Sequence, residues 1–186
     1  KVILIAHHFV DYAKENKNIM GTRNLTVVKN AAGTTKVALY GQWDGYPSYS
    51  GIKVLEFLRN KNNQQLLSAK LDNVEFITDE ECDKIYNSFE STDWENKDFL
   101  NAHPGLHRDT GVGILEVVAN SNSVIKTVDN SEFRNDTLFC EGIYEVDFQS
   151  KKFISTWNGI VKEFFLENLP PDEHYLTSMG VELETV

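Results

Sequence analysis

The chain has 186 residues, 41% hydrophobic and 25% charged, which allows one domain with a sizeable core. Its 28 acidic residues against 18 basic ones give a net charge of −10, and no cluster of Lys and Arg stands out. That excludes a general nucleic-acid binder, because phosphate contacts need grouped cations. No apolar run is long enough to span a bilayer, and Val2–Ala6 is too short for a signal-peptide core. The two cysteines, Cys82 and Cys140, make no disulfide framework and have no metal-like spacing, so they read as reduced thiols in a cytoplasmic protein. Asn24-Leu25-Thr26 and Asn135-Asp136-Thr137 fit the glycosylation pattern, but nothing else suggests secretion.

Lys1 to Lys17 starts apolar and continues through Phe9, Val10, Tyr12 and Ala13, which suits a short amphipathic helix or an irregular arm. Residues 1–19 are read as an N-terminal extension, with Met20 a candidate start of a single domain over 20–186. Adjacent His7 and His8 would point about 100° apart on a helix and make a poor metal pair.

A β-hairpin follows. Leu25, Val27 and Lys29 alternate with Thr26 and Val28, Ala31-Ala32-Gly33-Thr34 turns, and Lys36 to Tyr40 returns. The hairpin delivers a loop carrying Gln42, Trp43, Asp44, Tyr46 and Ser48, punctuated by Gly41, Gly45, Pro47 and Gly51. A loop so rich in hydrogen-bonding groups is either a binding surface or a structural corner.

Ile52, Val54, Leu55, Phe57 and Leu58 predict a helix over 50–59, capped by Ser50. A break at Asn60-Lys61-Asn62 precedes a second short helix over 64–71 and an extended piece over 74–77. Thr78 with Glu81 forms a capping box for a helix to about Phe89. Residues 88–97 are polar and loop-like. A helix over 112–120 is expected, with Asp109 or Thr110 as its cap; 121–134 carries no clear pattern. Leu138 to Phe148 alternates as a strand, with Cys140 in the core and Glu141 on the opposite side, free to line a cleft. Gln149-Ser150-Lys151 turns, Phe153 to Trp157 pairs back, Ile160 to Leu166 is a further strand or short helix, and Pro170-Pro171 ends regular structure. The sum is an α+β layered sandwich of antiparallel sheet and helices, with no internal repeat.

Gly21-Thr22-Arg23, the run Tyr40-Gly41-Gln42-Trp43-Asp44-Gly45-Tyr46-Pro47-Ser48, His103-Pro104 with Arg108-Asp109 and Gly111, and Asp136 to Glu141 ahead of Tyr144 and Asp147 together form an ordered signature. In these residues, over roughly 20–165, the chain resembles a family of uncharacterised bacterial and phage proteins. More distantly, Thr22-Arg23, strand, turn, strand, then Asp44 is similar to the N-terminal-nucleophile hydrolases of the penicillin-acylase and bile-salt-hydrolase type. That likeness implies their fold, with a freed N-terminal amine as base and the first side chain as nucleophile. Here the nucleophile position is Gly21, which has no side chain, and Thr22 could serve only after cleavage behind Gly21.

The candidate ligand-binding residues are Arg23, Gln42, Trp43, Asp44, Tyr46, His103 and Arg108. Asp44 beside Trp43 and Tyr46 would anchor a polar ligand under aromatic stacking, or simply cap its own turn before Gly45. Arg23 would grip a carboxylate or phosphate, or pair with Asp44 across the hairpin. His103 and His107 with Asp109 are metal-like residue types, but Pro104-Gly105 breaks the helix that would align them. His103 is thus a polar site residue or a structural histidine, and Arg108-Asp109 a helix-start pair. No metal, cofactor, nucleic acid or membrane is expected, and an oligomer is left open. The reading favours a non-catalytic binding protein for a small polar ligand or, in a phage setting, a host protein. The alternative is a hydrolase of amide or phosphoester bonds using Asp44, His103 or Thr22.

Overall fold

A computed structural model describes residues 21–89 and 97–182, so the readings of 1–19 and of most of the polar stretch 88–97 fall outside the described residues. Strands β1 (Asn24–Lys29) and β2 (Thr35–Gly41) form the expected hairpin, with Thr26 opposite Leu39 and Val28 opposite Val37. The Asn30 carboxamide oxygen closes the turn by accepting the N–H groups of Ala32 at 3.0 Å and Thr34 at 2.9 Å. Strands β3 (Val74–Phe76) and β4 (Ile125–Thr127) make a small parallel pair. Strands β5 (Gly142–Asp147), β6 (Lys152–Trp157) and β7 (Ile160–Phe165) form an antiparallel meander. It joins the hairpin through parallel pairing of β1 with β5, giving the order β2-β1-β5-β6-β7.

The fold is therefore α+β, as the sequence predicts, but its main sheet is mixed rather than purely antiparallel. The parallel contact needs a long crossover between β1 and β5, and the intervening helices supply it. They are α1 (Ile52–Arg59), entered through a π turn at Pro47–Gly51, α2 (Lys61–Lys70), α3 (Asp79–Asn87), α4 (Lys97–Ala102) and α5 (Ile114–Asn120). The Thr78 capping box on α3 is present, with the Thr78 hydroxyl and Glu81 carboxylate satisfying each other's backbone N–H. Neither Asp109 nor Thr110 caps α5, because the Thr110 hydroxyl donates to the Pro104 carbonyl at 2.6 Å and Asp109 turns toward Trp43. Pro170-Pro171 does not end regular structure either. Pro171 stands at the N-cap of α6 (Asp172–Ser178), and Arg59 pairs with Asp172 at 2.6 Å.

Alternation along the strands divides the sheet into two faces. Val28, Val37, Leu39, Tyr144, Val146 and Phe153 face the helices and form the main core with Leu55, Leu58, Leu67, Ile114, Leu115 and Tyr175. On the opposite face Leu25, Val27 and Ala38 are fully or almost fully buried, under a 3₁₀ turn at Ser131–Asn135. That turn is fastened to the edge of β2, where Asn130 donates to the Ala38 carbonyl at 2.9 Å and its side-chain oxygen accepts the Tyr40 N–H at 3.1 Å. A smaller core of Cys82, Phe99 and Leu106 lies beneath α3 and α4. Among the described residues no helix is long and apolar enough to cross a membrane. Asn24 of the first glycosylation pattern is completely buried in β1, so the folded chain cannot present it to a transferase.

Leu138 and Cys140 do not lie in a strand. Asp136 captures the N–H groups of Leu138 at 3.2 Å and Phe139 at 3.0 Å, and its carbonyl accepts from Cys140, which makes a turn. Regular pairing starts only at Gly142, and Cys140 is half-buried rather than core. At the far end of β5, burial works against ionisation of Asp147, but the N–H groups of Ser150 and Gln149 at the hairpin turn outweigh it and hold its carboxyl below its ordinary range.

Tyr144, itself fully buried, donates a 2.6 Å hydrogen bond to the Gly45 carbonyl, tying the loop after β2 to the middle of the sheet. Tyr144→Phe leaves that buried carbonyl unsatisfied and is expected to cost about 1–3 kcal/mol, read from the denaturant midpoint. A midpoint unchanged from the parent would mean that this bond does not hold the loop.

Candidate functional site

The end of the sheet where β1 begins and β2 finishes gathers most of the polar residues singled out above. Extending the hairpin register places Gln42 opposite Arg23 on the same face as Tyr40, because residues two apart in a strand share a face. The parallel register places Glu141 beside Arg23 on the other flank. The contacts follow that geometry. The Arg23 N–H donates to the Glu141 carboxylate at 2.8 Å, and the Arg23 carbonyl accepts from the N–H groups of Glu141 and Gly142 at 3.2 Å each. The Tyr40 hydroxyl donates to the Gln42 side-chain oxygen. The Gln42 N–H donates to the Arg108 carbonyl at 3.1 Å, which brings the segment after Leu106 against the loop.

Two aromatic rings close this corner. Phe133 meets Tyr40 edge-on at 5.0 Å, and the Arg23 guanidinium lies over Phe139 at 4.8 Å from the ring centre. Arg23 and Gln42 are each only 7% exposed. Burial raises the Tyr40 phenol above its ordinary range, while Arg23 and Arg108 pull it back. Tyr40 is thus protonated at neutral pH and able to donate.

The other candidates are placed differently. The Trp43 indole donates to Asp109 at 2.9 Å, which also lies 3.7 Å from the Arg108 guanidinium. Asp44 does not pair with Arg23. It adopts a left-handed backbone with φ of 53°, its carboxylate accepts from the Tyr46 hydroxyl at 2.9 Å, and its carbonyl accepts from Ser50 at 2.6 Å. It organises the corner leading into α1, the structural reading of that residue. That hydrogen bond to Asp44 raises the Tyr46 phenol, and the Tyr46 ring meets Trp157 edge-on at 6.5 Å.

His103 does not join Arg23. Its ring packs on Phe89 at 5.6 Å and Phe99 at 5.5 Å beside the smaller core, where burial, helped by Lys126, lowers its pKa and keeps it neutral. His107 is nearly buried and accepts the Asp109 N–H at 3.1 Å through Nδ1. Among the described residues no group of three or more His, Cys, Asp or Glu side chains is arranged to hold a metal. Tyr40, Phe139 and Glu141 complete the corner. Of these, Glu141 is the residue the sequence left free to line a cleft, and Tyr40 was readable because it sits two residues before Gln42 in an alternating strand.

Position 21 has no room for a nucleophile. A Cβ built there would come within 2.3 Å of the Gln42 carbonyl oxygen and 2.6 Å of the Trp43 ring. A seryl or cysteinyl side chain would force the strand ends apart. Comparison with family models, with curated proteins and with solved structures finds no match to this chain.

Neither cysteine is set up for nucleophilic work. Burial, reinforced by Asp83 and Asp79, pushes the Cys82 thiol up to about 11, and burial, with Asp136, pushes Cys140 up to about 12. At pH 8 the folded protein is expected to react with an aromatic disulfide reagent roughly a hundredfold or more slowly than an ordinary thiol. Two thiols should then titrate at the ordinary rate in guanidinium. A thiol that reacts at once in the folded chain would contradict this.

Proposed function

We propose that this protein is a non-catalytic binding protein for a small polar ligand, and that the ligand sits at the corner formed by Arg23, Tyr40, Gln42 and Arg108. The observation that carries the reading is their convergence on one sheet end, where the Arg23 backbone is held by Glu141 and Gly142 and the Gln42 N–H by the Arg108 carbonyl. Four hydrogen-bonding side chains from three stretches of the sequence meet there on a rigid support, which is how polar ligand sites are built. Trp43 and Asp109 form the adjoining rim. Asp44, Tyr46 and His103 stay outside this reading, because each is engaged elsewhere.

Several features count against a hydrolase. Position 21 cannot carry a side chain, both thiols are held protonated, and His103 packs on aromatic rings rather than beside a hydroxyl. The signature in 20–165 supports grouping the chain with the bacterial and phage proteins it resembles, and a phage setting would make a host-derived ligand the natural cargo.

The test is mass spectrometry of the intact 186-residue chain, first under native and then under denaturing conditions. The expected result is a small non-covalent adduct that is lost on denaturation and absent from the Arg23→Gln variant. A chain shortened to begin at Gly21 or Thr22 would instead establish self-processing and overturn the binding reading.

A further inference from the structure

The binding corner holds a buried guanidinium without a direct ion pair, and that points to the kind of group it takes. Arg23 is 7% exposed, yet among the described residues no carboxylate stands within ion-pair reach of its guanidinium. Glu141, its neighbour in register, spends one carboxylate oxygen on the Arg23 main-chain N–H instead. What faces the guanidinium is the Phe139 ring at 4.8 Å and the Tyr40 phenol. A buried cation met by an aromatic face and a neutral phenol rather than by a direct ion pair is costly, and a charge-bearing partner would relieve that cost.

The contrast within the same sheet is direct. On the adjacent strand β5, four residues on from Glu141, Glu145 is also buried, and it is answered by Lys29 at 2.5 Å and Arg134 at 3.3 Å. Glu145 thus has direct ion pairs from β1 and from the 3₁₀ turn, whereas the Arg23 guanidinium has none among the described residues.

The neighbouring groups are oriented as donors. The Tyr40 hydroxyl donates to the Gln42 side-chain oxygen, which leaves the Gln42 amide N–H groups to act as donors. The Phe139 ring, centred 4.8 Å from the guanidinium carbon, offers no oxygen to the N–H groups, and their planar fork suits two parallel hydrogen bonds to a pair of oxygens. The low exposure of Arg23 and Gln42 limits the incoming group to a few atoms.

We infer that Arg23 and Gln42 form a subsite for one compact anionic group of the ligand, a carboxylate or a phosphate monoester. The inference rests on the binding reading above and adds the chemical class of what is bound. A neutral sugar or amide would leave the cation uncompensated, and a bulky anion would not reach it.

The experiment uses the full chain at pH 7 with inorganic phosphate and with acetate, each against sodium chloride at matched ionic strength. The readouts are the melting temperature and the NMR signal of the Arg23 Nε–H group. One of the two anions is expected to raise the melting temperature and shift that signal. Binding of that anion should weaken by about tenfold or more in Arg23→Gln and in Gln42→Glu, which removes a donor and adds a repelling charge. A response to phosphate alone assigns a phosphoryl group, and a response to acetate alone assigns a carboxylate. If Arg23→Gln fails to fold, Gln42→Glu decides. Neither anion binding beyond chloride, or binding undiminished in the variants, overturns the anionic subsite. With an adduct still carried in native mass spectrometry, that result leaves the binding function standing with a neutral ligand. With no adduct, both readings fall.

Discussion

The loop after β2 keeps its shape because backbone approaches backbone there with no room for side chains. A Cβ at Gly45 would come within 2.6 Å of the Thr22 carbonyl, and one at Gly142 within 2.5 Å of the Gly45 carbonyl. The glycines let three chain segments meet, and hydrogen bonds then lock them. Gly45 N–H donates to the Thr22 carbonyl at 2.8 Å, and Tyr144 donates to the Gly45 carbonyl at 2.6 Å. A loop pinned at both its carbonyl and its N–H loses little further entropy on meeting a ligand, which is the physical content of preorganisation. Arg23, Gln42 and Arg108 inherit their positions from this junction, since each is one or two residues from a pinned strand end or accepts from one.

The two faces of the sheet divide the labour of stability and binding. The helix-facing side is an apolar core running from Val28 through Tyr144 to Phe153, closed by α1, α2, α5 and α6. The opposite side is narrower and more polar, with the 3₁₀ turn at 131–135 clamped to β2 and to Glu145. Where that cover ends, beyond Tyr40, the sheet end meets Phe133 and Phe139 on one flank and Arg108 on the other. A buried cation at such a boundary is tolerated because the strand pairing beneath it over-determines its place.

Much of the local structure was legible in the sequence. The hairpin at 25–40, the capping box at Thr78, the helices at 52–59 and 79–87 and the meander from 152 to 165 all follow from periodicity and turn chemistry, which act over a few residues. Three features were not legible, each for a physical reason. The parallel pairing of β1 with β5 joins residues about 118 apart in sequence and leaves no local trace. The alternation at 138–140 imitated a strand, but the Asp136 carboxylate offered those N–H groups a nearer partner than any neighbouring strand. Pro170-Pro171 read as an end, whereas proline at a helix start is equally favourable. At the site, residue type and loop composition singled out Arg23, Gln42 and Arg108. Phe139 and the closing role of Glu141 depend on how the turn at 136–141 folds back over the sheet end, which only the structure supplies.

The account stands on a site that is ordered before any ligand arrives. Amide hydrogen exchange of the ligand-free protein tests this most directly, through the N–H groups of Gln42 and Gly45. Protection comparable to that of β1 and β5 is the predicted result, because both groups donate to carbonyls on pinned segments. Exchange at the rate of an open surface loop would contradict the account, since the corner around Arg23 would then form only when something binds to it.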